Sequence, residues 1–157
     1  MPARSSEKSP APSPLHYRIE PANLHAHLFR ITLTIPRPAA RQEVALPVWI
    51  PGSYLVREFA KNLQKLTARQ GRQPVALQQL DKARWQADCT DRQALVLEYE
   101  VYALDNSVRT AWLDADRGFF NGTSLCLQVR GQAHQPHELT VVSTRATKGW
   151  QVATGLP

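Results

Sequence analysis

Leu28-Phe-Arg-Ile-Thr-Leu-Thr-Ile35 alternates apolar and polar side chains without interruption. Phe29, Ile31, Leu33 and Ile35 fall on one face, and Arg30, Thr32 and Thr34 on the other. A period of two, with β-branched residues throughout, predicts a half-buried strand. Leu95–Tyr102 repeats the pattern, with Leu95, Leu97, Tyr99 and Val101 set against Val96, Glu98, Glu100 and Tyr102. Shorter strands are expected at Leu15–Glu20, Val44–Ile50, Leu63–Gln70, Val75–Leu80, Arg84–Ala87, Leu125–Arg130, Leu139–Ser143 and Trp150–Ala153. Turn residues separate most of them, among them Pro36-Arg-Pro38, Gln70-Gly71 and Asn121-Gly122. Ten short strands without a ten-residue helix predict an all-β protein, an antiparallel β-sandwich. One or two helical turns are expected only within Tyr54–Asn62 and after Asp105.

The chain has 157 residues, 43% of them hydrophobic, enough for one domain with a core and too few for two. Residues 15–157 are expected to form that domain. Met1–Pro14, rich in Ser, Pro and Ala and lacking an apolar stretch, reads as a disordered leader and not as a secretory signal. No apolar run reaches the roughly 18 residues of a membrane span. Cys89 and Cys126 are too few for a disulfide framework, and with no export signal a reducing cytoplasm is expected. Cys126 is expected to pack as a small hydrophobe on a strand. The net charge of +6 and pI of about 9.7 raise nucleic-acid binding. Arg18, Arg30, Arg69, Arg84, Arg109, Arg130 and Arg145 are scattered singly, however, so a solvated surface or an acidic partner domain is the expectation.

A second stretch carries function: Leu46-Pro-Val-Trp-Ile-Pro-Gly-Ser-Tyr-Leu-Val-Arg-Glu-Phe-Ala60. An apolar strand stops at the Pro51-Gly52 turn signal, which places Tyr54, Arg57 and Glu58 on a loop at a strand tip. This block resembles the WIPGSY…R-[DE]-F-A signature in the N-terminal domain of the glycyl aminopeptidase family of zinc metallopeptidases. Leu80-Asp-Lys-Ala-Arg-Trp85, Tyr99–Arg109 and Gly118-Phe-Phe-Asn-Gly-Thr-Ser124 fit the same family in the same order. The resemblance spans roughly residues 15–157 and implies a sandwich like the N-terminal domain of aminopeptidase N relatives. It also implies a longer parent whose zinc lies in a following helical domain. The chain would then be truncated, with Trp150–Pro157 running toward the interdomain connection.

A zinc site of that type needs two histidines one helical turn apart with a glutamate to activate water. In His137-Glu138-Leu139-Thr140-Val141 a valine stands where the second histidine must be, and His134-Gln-Pro-His137-Glu138 fails the inverted pattern. No cofactor is therefore expected in this chain, and zinc is expected in the parent's missing domain. His25 and His27 would share one face of a strand but lack a third ligand.

The resemblance implies that one loop of the sandwich reaches the catalytic cleft and helps hold the substrate's amino end. Asn121, Gly122 and Thr123 are the candidates, against a plainer reading of Asn121-Gly122 as a hairpin turn beside two core phenylalanines. The Asn121-Gly-Thr123 sequon has no meaning without secretion. Tyr54, Arg57 and Glu58 are candidates for the face that meets the next domain, against a surface Arg57–Glu58 ion pair. Asp105, Ser107 and Arg109 join them as polar residues at a strand end. Trp49, Trp85, Trp112 and Trp150 are expected as core or domain-face anchors, with a sugar platform at Trp112 as a minor alternative.

These readings imply a non-catalytic domain whose partner is the parent's catalytic domain and which meets peptide substrate only indirectly. No nucleic acid or membrane is expected. The rival is a free-standing β-sandwich module that binds a protein or a ligand. A large exposed apolar patch would favour the first reading.

Overall fold

A computed structural model describes residues 13–90 and 92–157. The chain opens with β1 (Leu15–Asn23) and β2 (Leu28–Ile35), then crosses to a second sheet with β3 (Arg41–Ala45). It returns as β4 (Leu63–Gln70) and β5 (Gln73–Pro74), crosses again as β6 (Leu77–Asp81) and β7 (Arg84–Asp88), and comes back as β8 (Leu95–Tyr102). A small hairpin of β9 (Ala111–Leu113) and β10 (Gly118–Phe120) leads through the helical turn α1 (Gly122–Leu125) into β11 (Gln128–Val129) and β12 (His137–Val141). The larger sheet runs β12-β1-β2-β8-β4-β5 and the smaller β11-β3-β7-β6. Among the described residues, strand pairs are antiparallel except β1 with β12, which is parallel.

The alternation of β2 and β8 sets the register. Phe29, Ile31, Leu33 and Ile35 lie opposite Val101, Tyr99, Leu97 and Leu95, and all eight are 2% exposed or less. A slip of one residue would turn every one of them to water, which fixes the pairing. Leu15, Tyr17 and Ile19 of β1 extend this apolar face. Val44, Trp85, Ala87 and Val129 meet it from the smaller sheet, so one core lies between the two layers. Each fully buried Leu or Ile there contributes about 1.5–3 kcal/mol. Buried Gln70 closes the layers at the end away from β8's C-terminus. Gln70 donates to the Gln93 carbonyl at 2.8 Å and accepts from the Thr90 amide at 3.0 Å.

The antiparallel β-sandwich expected from the periodicity is what forms, with local corrections. The expected strand Val44–Ile50 stops at Ala45, because Pro47 lacks an amide and Leu46 donates sideways to the Ala83 carbonyl at 2.9 Å. Leu125–Arg130 shortens to Gln128–Val129, since residues 122–125 wind into α1. No strand forms at Trp150–Ala153; a 3-10 turn at Arg145–Thr147 precedes it, and the Trp150 amide donates to Thr147 at 3.0 Å. His25 and His27 lie in the β1–β2 turn, with His27 at φ +57°, so they do not share a strand face. Of the expected leader, Met1–Pro12 lies outside the described residues, while the Ser13 hydroxyl accepts from Arg37 at 2.8 Å. No helix among the described residues is long and apolar enough to cross a membrane.

Candidate functional site

The loop between β3 and β4 is a self-braced structure built on Ser53. Pro51-Gly52 forms the expected tight turn, with Gly52 at φ +79° and the Ser53 amide on the Ile50 carbonyl at 3.1 Å. Ser53 is itself 5% exposed. Its carbonyl accepts the Trp49 indole N–H at 2.7 Å, and its hydroxyl accepts Arg57 Nε at 3.0 Å. The Arg57 amide reaches back to the Val48 carbonyl at 2.6 Å. With Ser53 bonded inside, the loop turns its apolar side chains out. Val48, Trp49, Leu55 and Val56 are all exposed, and Tyr54 is 102% exposed. A 3-10 turn at Phe59–Asn62, with Phe59 in the core, then returns the chain to β4.

Arg57 and Glu58 do not pair with each other. Glu58 takes Lys82 at 3.1 Å, since Lys82 sits in the β6–β7 turn beside the loop, and Arg57 is oriented by Ser53. Among the described residues Arg57 has no carboxylate partner.

The second candidate loop, residues 103–110, leaves β8 at the same end. The Asp105 amide donates to Ala111 at 3.1 Å, and the Ser107 hydroxyl accepts the Arg109 amide at 3.2 Å. Val108 is 74% exposed at its tip. The third is α1, and its residues depart from the hairpin reading. Asn121 is extended (φ −93°, ψ 144°) and Gly122 is not among the glycines with positive φ, so Asn121-Gly122 opens a helical turn. Asn121 Nδ2 donates to the Val108 carbonyl, which ties this turn to the second loop. Ser124 Oγ donates to the Asn121 and Thr110 carbonyls at 2.8 and 3.2 Å. Thr123 Oγ1 is buried and, among the described residues, has no hydrogen-bond partner. Phe119 is 45% exposed, and Phe120 packs edge-on against Phe29 with centroids 5.6 Å apart.

Two buried tyrosines anchor the segment that follows α1. Tyr99 Oη donates to the Leu125 carbonyl at 2.7 Å and accepts the Leu127 amide at 3.1 Å. Tyr17 Oη donates to the Leu127 carbonyl at 2.8 Å. Burial raises both phenols well above their ordinary value, so they remain protonated donors. Cys126 between them is the C-cap of α1 and lies outside the strand expected for it. Burial pushes its thiol up to about 12, and a protonated thiol is a packing group.

All eight candidate residues therefore lie at one end of the sandwich. β8 and β4 bring Val101 and Leu63 together, Asn121 binds the 103–110 loop, and α1 touches the 3-10 turn at residues 59–62. Sequence reasoning missed Ser53, Lys82 and the two tyrosine anchors. An inward-facing Tyr where a Phe would pack equally well is the signal that could have found the anchors. The tryptophans divide: Trp85 is in the core, Trp150 packs against it, and Trp49 stands at this end. Trp112 donates to Asp114 at 2.7 Å, and the Arg117 guanidinium lies over its ring, 5.8 Å from the centre.

No three His, Cys, Asp or Glu among the described residues are grouped to hold a metal ion. His137 and Glu138 are neighbours on strand β12, where successive side chains point to opposite faces, and His137 stacks on Tyr17 instead.

No curated protein matches the chain. Among solved structures it is similar to an aminopeptidase N family protein from Idiomarina loihiensis, at 45% identity with a TM-score of 0.88. The match covers 91% of this chain and 24% of that one, so the chain spans about a quarter of that relative's length. The description "Peptidase M61 N-terminal domain" matches residues 16–157. On that match this chain belongs to the family of peptidase M61 N-terminal domains.

Proposed function

We propose that this chain is the non-catalytic N-terminal sandwich of a zinc-dependent aminopeptidase of the glycyl aminopeptidase type. It docks on the zinc-bearing domain through its loop end and forms one wall of the peptide cleft. The observation that carries this reading is the gathering of Tyr54, Arg57, Asp105, Arg109 and Thr123 with exposed Val48, Trp49, Leu55, Val56 and Val108 at one end. An apolar surface rimmed by polar groups is the usual mark of an interaction face. The match to peptidase M61 N-terminal domains over residues 16–157 favours this reading over the free-standing rival.

Zinc, the cytoplasmic setting and the preference for small N-terminal residues belong to the proposed parent. The test is release of amino acid from glycyl and alanyl peptides. The complete polypeptide with zinc is expected to be active and this chain with zinc inert; release by the purified chain alone would overturn the proposal.

A further inference from the structure

We infer that the β3–β4 loop is a preformed docking element that pairs an apolar tip with a guanidinium, and that the surface it meets carries a carboxylate opposite Arg57 beside an apolar pocket. The inference rests on the docking reading above and adds the chemistry of the partner surface, which is that of the peptidase domain.

Three observations carry it. The tip is apolar and outward: Leu55 is 63% exposed, Val56 75% and Tyr54 fully so. It is held in that posture from within. Buried Ser53 joins Trp49, the Ile50 carbonyl, the Leu55 backbone and Arg57 into one hydrogen-bonded unit. A loop fixed before binding loses little further entropy on binding, which favours a tight contact. Finally, Arg57 has no carboxylate partner among the described residues, Asp105 of the neighbouring loop included. Ser53 fixes only the Nε edge of Arg57, which leaves the terminal nitrogens as donors, and the neighbouring acid, Glu58, is committed to Lys82. Arg109 also lacks a carboxylate partner among the described residues. A guanidinium oriented at one edge and open at the other matches the planar, two-point geometry of a carboxylate. The solved relative continues well beyond the part this chain matches, 24% of its length, so a further domain of the same polypeptide is the occupant assigned to this surface. Partial exclusion of water around Leu55 and Val56 would strengthen the pair once formed.

The test uses the complete polypeptide that carries this domain. In Arg57→Lys an amine stands where the guanidinium was, and a carbodiimide joins an amine to a carboxylate only when the two are in contact. Mass spectrometry is expected to find the amine at position 57 coupled to an Asp or Glu of the peptidase domain. Coupling to Glu58, Asp81 or Asp105 of this chain, coupling to a second copy, or no coupling would each overturn the inference. Because Tyr54 is fully exposed, p-benzoylphenylalanine at position 54 leaves the fold intact and reports the neighbouring surface by photo-cross-linking, whatever its charge. Cross-links from position 54 into the peptidase domain without acid coupling at 57 would retire the Arg57 pairing and leave docking standing. Absence of any cross-link to that domain would retire docking itself. With both in place, Arg57→Glu should lower the yield of that intramolecular cross-link from position 54 several-fold, since it puts two like charges face to face; an unchanged yield refutes the pairing.

Discussion

Ser53 shows how much one small side chain can organise. Its hydroxyl accepts from Arg57 and lies 3.4 Å from the Leu55 amide, inside an otherwise apolar loop. Ser53→Ala should cost about 1–2 kcal/mol in urea unfolding, one net hydrogen bond to a charged donor plus a weaker one. The faster hydrogen exchange that follows should be confined to residues 49–57. Tyr99 works in the same way in the core. Tyr99→Phe leaves the Leu125 carbonyl and the Leu127 amide unpaired, so a loss of about 1–3 kcal/mol is expected although the ring still fits. Asp114 supplies a pH dependence. The Trp112 indole N–H, and then the amides of Asp116 and Arg117, hold its carboxyl below the ordinary value. Its folded-state pKa is thus the lower one, so its stabilisation is in place above the unfolded value of about 3.9 and fades as the pH falls through the folded value. Asp114→Asn should therefore lower Tm at pH 7, and the difference should close under acid conditions below the folded-state pKa.

At the scale of elements, two glycines in the candidate loops have opposite duties. Gly52 sits at φ +79° with open space where a Cβ would go, so any cost of a side chain there is backbone strain. Gly52→Ala should destabilise by about 1–2 kcal/mol. Gly122 begins a helical turn, is not in the positive-φ region, and also has open space around it. Gly122→Ala should be neutral or stabilising by up to about 1 kcal/mol, since it restricts only the unfolded chain. A pair of chemical-denaturation curves decides between this assignment and an Asn-Gly hairpin, in which alanine at 122 would be strained. On the larger sheet, β4 carries a bulge between Gln64 and Thr67, with Lys65 at φ +55°. The bulge aims Lys65 at Glu100 of β8, 3.0 Å away, where Arg30 also approaches at 3.6 Å. That cluster lets a largely buried carboxylate remain ionised on the central strand.

For the whole molecule, polarity is segregated by end. β2 and β8 hide their apolar faces between the sheets, whereas the β3–β4 loop exposes its own. Leu55→Ser combined with Val56→Ser should leave Tm nearly unchanged, because neither side chain is buried, and should markedly reduce binding of an apolar fluorescent dye to the isolated chain. A large fall in Tm would mean that the loop packs against the body instead of facing outward.

What the sequence determined by itself was the fold class and the boundaries of its best strands. Leu28–Ile35, Leu63–Gln70 and Leu95–Tyr102 form as read. In Leu28–Ile35 and Leu95–Tyr102 a period of two buries one face whatever the partner, so local pattern and tertiary demand agree. The Pro51-Gly52 turn was equally legible, because its φ requirement is local. Tertiary structure alone decided where the competition was between neighbours distant in sequence. Asn121-Gly122 became a helical turn because the Val108 carbonyl, thirteen residues away, takes the Asn121 amide. Glu58 turned from Arg57 to Lys82 for the same reason, 24 residues along the chain. The meeting of three separate loops at one end follows from strand order and register, which periodicity specifies for each strand but not between strands.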